Sequence, residues 1–116
     1  MIWKVPGLLA AAMIAASPPS ATTQTLRVEP RATIKVDIEV CAPAVYLEAR
    51  GNGKSDLDFI IYDPEGEWVH SDLDDTDIVF QKLENPVAGT SCLIFVLEVI
   101  NQGAVPNDLL IEVKDA

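Results

Sequence analysis

Basic residues are scarce in this chain: eight Lys and Arg stand against 18 Asp and Glu, for a net charge of −10. A chain so acidic repels nucleic acid and anionic membrane surfaces, both of which are held through contacts to Lys and Arg. Cationic partners and divalent metals remain as the natural candidates. Histidine is scarcer still, with His70 the single imidazole. Its neighbour Ser71 would project from the opposite face of a strand, so the two cannot serve as a nucleophile and its base. Two cysteines and one histidine do not make a structural zinc site, and the spacing of Cys41 and Cys92 is not that of a CxxC redox pair. Two carboxylates acting as acid and base would need about 5 Å or more of separation across a cleft. A small sandwich offers little cleft, so no catalytic residue is assigned and an enzyme is not expected.

Long apolar runs are also missing. The stretch Val5 to Ala16, after Lys4, is 12 residues long, whereas a bilayer span needs about 20. It reads as a secretory signal peptide over residues 1–16, with cleavage after Ala16 or, alternatively, after Ala21; a retained N-terminal anchor is the other reading. Removing residues 1–16 deletes Lys4 and no acidic residue, leaving 7 basic against 18 acidic residues, or −11. The expected location is periplasmic or secreted, with no membrane association after cleavage. About 100 residues remain, enough for one domain with one core. In an oxidising compartment the even cysteine count suggests a Cys41–Cys92 disulfide, with two separate buried thiols as the alternative.

Helical periodicity is absent, and what is present is alternation broken at regular intervals, the pattern of an all-β domain. Residues 17–25 form a Ser/Thr/Pro/Gln-rich flexible lead-in, and the folded domain is expected over 26–116. Leu26 to Glu29 is a short strand stopped by Pro30. Ala32 to Cys41 places Ile34, Val36, Ile38 and Val40 on one face and Lys35, Asp37 and Glu39 on the other. Val45 to Arg50 repeats the alternation. Strands are expected at Leu57 to Tyr62, Glu67 to Ser71 and Ile78 to Lys82. The nearly continuous apolar run Cys92 to Ile100 reads as a central strand, and Asp108 to Val113 closes the fold. Eight short strands fit an antiparallel two-sheet sandwich of jelly-roll type, with an immunoglobulin-like sandwich as the alternative.

The strongest local signal is Asp63-Pro64-Glu65-Gly66, the chemistry of a type I turn. It sits within residues 56–77, where nine of 22 residues are acidic and none is basic. Taking Gly66 as a left-handed bulge pairs Asp63 with Glu67 and gives the hairpin an inner face of Ile61 across from Val69, Phe59 from Ser71 and Leu57 from Leu73. The outer face then sets Tyr62 across from Trp68, Ile60 from His70, Asp58 from Asp72 and Asp56 from Asp74. Like charges directly opposed are destabilising, and fraying, solvent screening, a nearby cation or a bound metal would each offset them.

Gly51-Asn52-Gly53, Asp56-Leu57-Asp58, Tyr62-Asp63-Pro64-Glu65-Gly66, Ser71-Asp72, Gly89 and Val99-Ile100-Asn101-Gln102-Gly103 together resemble the bacterial pre-peptidase C-terminal domain, over Ala32 to Val113. That resemblance implies an exported, non-catalytic jelly-roll sandwich, usually an accessory to secreted hydrolases and in some members a calcium or matrix binder. It carries Asp56, Asp58 and Asp72 across as candidate calcium ligands. The segment from Gly89 to Asn101 is longer than the family pattern and has Ser91 and Cys92 where an aromatic is usual; no peptidase domain accompanies it here, so the accessory role is not carried over.

Two binding hypotheses follow. Calcium wants six to eight oxygens in flexible loops, and Asp56, Asp58, Asp72 and Asp74 are expected to converge at the open end of the hairpin. Solvated aspartates that bond local backbone amides are the plainer reading. Tyr62 and Trp68, with His70 beside them, would form an aromatic face for a carbohydrate or protein partner, or simply a cross-strand pair that stabilises the hairpin.

Overall fold

The computed structural model describes residues 21–116; the signal-peptide expectation for 1–16 lies outside them. Eight strands form: β1 (Ala21–Val28), β2 (Thr33–Val40), β3 (Ala44–Arg50), β4 (Leu57–Tyr62), β5 (Trp68–Asp72), β6 (Ile78–Glu84), β7 (Leu93–Asn101) and β8 (Asn107–Asp115). No helix occurs among the described residues. One sheet has the order β1-β8-β3-β6 and the other β2-β7-β4-β5, with every adjacent pair antiparallel. That interleaving is the jelly roll of two Greek keys. Only the β4–β5 hairpin stays within one sheet, and every other connection crosses between them.

Alternation explains the core. Val36, Ile38 and Val40 of β2, Val45, Leu47 and Ala49 of β3, and Leu57, Phe59 and Ile61 of β4 all face inward and are buried. The apolar run of β7 lies between β2 and β4, yet only alternate residues are buried: Phe95, Leu97, Val99 and Asn101 point in, while Ile94 is 41% exposed. A central position in its sheet therefore does not mean cover on both faces.

Three expectations need revision. The lead-in is strand from Ala21 onward, paired with β8 from Ala21 opposite Lys114 to Val28 opposite Asn107. Residues 21–25 are exposed, so they carry no alternating signal, and their strand exists because β8 runs on to Asp115 and offers backbone partners. The hairpin register is the second. Tyr62 stands across from Trp68 as expected, but Val69 is an extra residue, and beyond it Ile61 pairs with His70, Ile60 with Ser71 and Phe59 with Asp72. A bulge of this kind keeps Val69 packed against the core while moving every later residue of β5 by one place. Third, His70 consequently shares the inner side with Ile61, away from the Tyr62 and Trp68 face.

Cys41 and Cys92 form a disulfide. They extend the β2–β7 ladder by one step beyond the Val40–Leu93 pair, tying an edge strand to the strand beside it. A bridge closing a loop of 51 residues stabilises by roughly 4 kcal/mol in the chain-entropy account.

Three buried asparagines hold the crossings. Asn85 donates to the carbonyls of Val40 and Ser91 at 2.9 and 2.8 Å and accepts from the Val87 amide. Asn101 donates to Val28 and Val105 and accepts from Gly103. Asn107 accepts from the Asn52 amide at 2.8 Å and donates to the Ser55 carbonyl and hydroxyl and to Asp77. Buried polar side chains are tolerated because each is bonded. Asn107→Ala would strand the Asn52 amide and the Ser55 carbonyl, so urea unfolding should show a loss of about 2 kcal/mol or more. Exposed Asn52→Ala should stay within about 0.5 kcal/mol.

Candidate functional site

The hairpin tip is built as its sequence dictates. Asp63 accepts the Gly66 amide through its backbone carbonyl at 2.9 Å, and its own amide donates to the Glu67 carbonyl at 2.8 Å. Its carboxylate accepts the amides of Glu65 and Glu67, and Gly66 adopts φ of +85°, the left-handed conformation that favours glycine. This fixes the Tyr62–Trp68 pair. Trp68 is 63% exposed, whereas Tyr62 is half-buried and donates its hydroxyl to Glu98 on β7 at 2.8 Å. That bond, followed by partial burial and the Glu98 charge, raises the phenol above its ordinary range. Tyr62 is thereby oriented, and Trp68 projects beside it.

At the other end of the hairpin the carboxylates do not oppose one another as aligned pairs. Asp58 pairs across β7 with Ile100 and accepts from Gln102 at 2.9 Å through Oδ2. The backbone carbonyl of Asp56 accepts the Gln102 amide. Oδ1 of Asp56 and Oδ1 of Asp58 are both closed off from solvent and have no hydrogen-bond donor. Partial burial raises the Asp56 carboxyl first, and the neighbouring charges of Asp58, Asp75, Asp74 and Asp77 raise it further.

Asp72 stands across from Phe59, not Asp58. Burial and its contact with Asp74 raise its carboxyl, while the Asp74 amide and His70 oppose the shift. Asp74 is lowered, chiefly by the hydroxyl and amide of Thr76, which it accepts at 2.6 and 2.9 Å. Of the four expected ligands, then, Asp56 and Asp58 are neighbours, the charge of Asp74 acts on Asp56, and Asp72 bonds to Asp74 instead.

Sequence reasoning missed Gln102, Asp75 and Asp77. Asp77 is already engaged, accepting from the Gly53 amide at 2.7 Å and from Asn107, and the Gly51 amide donates to its carbonyl. A Cβ at position 51 would collide with Asp77 and Asn107, which is why the loop begins with glycine. The acidity of 72–77 was visible in the sequence; the tertiary partner of each carboxylate was not. Among the described residues, one group of three ligand-type side chains converges within 4.8 Å, namely Glu39, Cys41 and Cys92. Its sulfurs are joined in the disulfide and offer no thiolate. No three carboxylates of the acidic end come within that distance of one another, so the expected convergence of Asp56, Asp58, Asp72 and Asp74 is not reached.

The chain matches no family model and none of the curated proteins. Among solved structures it is similar to the crystal structure of Yersinia pseudotuberculosis-derived mitogen, at 14% identity and a TM-score of 0.58, with 85% of this chain and 88% of that chain covered. At that identity the likeness concerns the fold.

The sign of the Asp56 shift gives a test. A carboxyl raised by folding binds its proton more readily in the folded state, so its ionisation opposes folding above that raised value. With chelator present, Asp56→Asn should raise Tm at neutral pH, and the gain should disappear as pH falls below about 4, the ordinary carboxylate range. A gain unchanged at low pH would mean that charge at Asp56 is not its cause.

Proposed function

We propose that this chain is an exported, non-catalytic binding module whose acidic end is stabilised by calcium, in the manner of a pre-peptidase C-terminal domain. The observation that carries the reading is the pair of carboxylate oxygens on Asp56 and Asp58 that are closed off from solvent and lack a donor. An unsatisfied buried oxygen is costly, and a hard cation is one way to satisfy two of them together. Calcium suits the donor set, which is all oxygen: the carboxylates of Asp56 and Asp58, the nearby Asp74 and Asp75, and backbone carbonyls of the 73–77 loop. The ion would supply charge neutralisation, and Asp56 and Asp58 would hold it with the loop aspartates whose charges already act on Asp56. The disulfide supports export to a periplasmic or secreted location.

A thermal melt with calcium and with chelator tests the reading. At 100 times its dissociation constant, calcium adds about 2.7 kcal/mol, worth about 10 °C for a domain of this size. That rise should be lost in Asp58→Asn. Equal melting temperatures in calcium and chelator would reduce the cluster to a solvated acidic edge.

A second reading rests on Trp68, whose 63% exposure beside an oriented Tyr62 suits a carbohydrate or protein partner. Glycan-array binding by the chain should fall at least about tenfold in Tyr62→Ala/Trp68→Ala, the loss expected of an aromatic contact of 1.4 kcal/mol or more. Unchanged binding would rule this face out.

A further inference from the structure

The two sheets do not close along one side. β1 and β2 are the margins of their respective sheets, and between them runs a groove in two adjoining parts of about 270 and 250 Å³ that share Thr22, Glu39 and Val113. Thr22 stands across from Val113 and Gln24 across from Ile111. Directly opposed residues share a face, so both occupy inward positions, yet both are polar and exposed. A closed sandwich would carry apolar side chains there. The floor is apolar, formed by Ile38, Ile111, Val113 and Val45.

The opposite wall differs in kind. Asp37, Ile38 and Glu39 are consecutive in β2 and all line the groove. Consecutive side chains of a strand point to opposite faces, so three in a row can border one groove only where the strand turns its edge toward it. β2 pairs with β7 on its other side, and this margin is its free hydrogen-bonding edge. The charge lining the groove is of one sign, with Asp37 and Glu39 on the β2 wall, and neither part is lined by Lys or Arg; Lys35 lies farther along the same strand. The Cys41–Cys92 bridge holds the end of β2 in place.

We propose that this edge binds an extended, basic segment of a partner protein by strand addition, its backbone pairing with β2 and its Lys or Arg side chains reaching the carboxylates. Main-chain bonds supply affinity in this mode, and alternate side chains supply selectivity. Pairing with a second copy is disfavoured, because each copy carries a net charge of −10 and charged edge strands repel their like. The charge of the groove and the free edge of β2 together select a cationic partner in extended conformation.

The test uses the full chain and a short synthetic peptide alternating Arg and Val, followed by fluorescence anisotropy. Asp37→Asn/Glu39→Gln, both exposed positions, should weaken binding about tenfold, with the melting curve confirming the fold. Methylating alternate backbone nitrogens of the peptide should abolish binding, and the bound peptide should slow amide exchange within residues 33–40. The Asp56→Asn/Asp58→Asn variant should bind the peptide as tightly as the parent chain, which keeps this site distinguishable from the calcium reading. Equal affinity for the methylated peptide, loss only in Asp56→Asn/Asp58→Asn, or no measurable binding would each overturn the proposal.

Discussion

A jelly roll alternates between its two sheets at nearly every connection, so its stability rests on satisfying backbone groups where the chain leaves one sheet for the other. Here that constraint falls on Asn85, Asn101 and Asn107, all essentially inaccessible to solvent. Asn101 joins the end of β1 to the β7–β8 loop. Asn85 joins the end of β2 to the β6–β7 loop. Asn107 gathers the β3–β4 loop and, through Asp77, the β5–β6 loop. An amide side chain offers both donor and acceptor, which lets one residue serve two crossings. The apolar core drives the sheets together; these amides decide how the loops are threaded around it.

The inner faces of β2, β3 and β4 were legible because period-2 alternation depends only on which residues face the core. Val36, Leu47 and Phe59 could be placed without knowing their neighbours. The turn at Asp63 to Gly66 was equally legible, since its chemistry is local. What escaped was non-local. The bulge at Val69 obeys the packing of β5 against the core and leaves no mark in the sequence, so a register correct at Tyr62 and Trp68 slipped one residue later. Asn85 and Asn107 adjoin Pro86 and Pro106, and Asn101 lies two residues before Gly103, the surroundings of loop residues, so only the fold reveals them as buried.

That one-residue slip reorganises the candidate site. With Asp72 moved across from Phe59, the acidic end is no longer a ladder of opposed carboxylates. It becomes a pair, Asp56 and Asp58, anchored by Gln102 and neighboured by loop aspartates, of which Asp74 bonds within its own loop and Asp77 reaches out to Gly53 and Asn107. Acidity is thus divided between two distant features of the fold, a hairpin end with closed-off oxygens and a sheet margin with an open backbone. The proposed divalent ion concerns the first and the proposed cationic chain the second, so each can fail without the other.

The crowding around Gly51 has a consequence for how this sequence can vary. The space a methyl group would need is filled by the side-chain oxygens of Asp77 and Asn107, and those same oxygens receive the amides of Gly53 and Asn52. Three positions separated by dozens of residues thereby form one unit of inheritance. In descendants of this chain, a larger residue at 51 would persist only alongside shorter side chains at 77 or 107 and a differently shaped loop, so substitutions at these three sites should travel together.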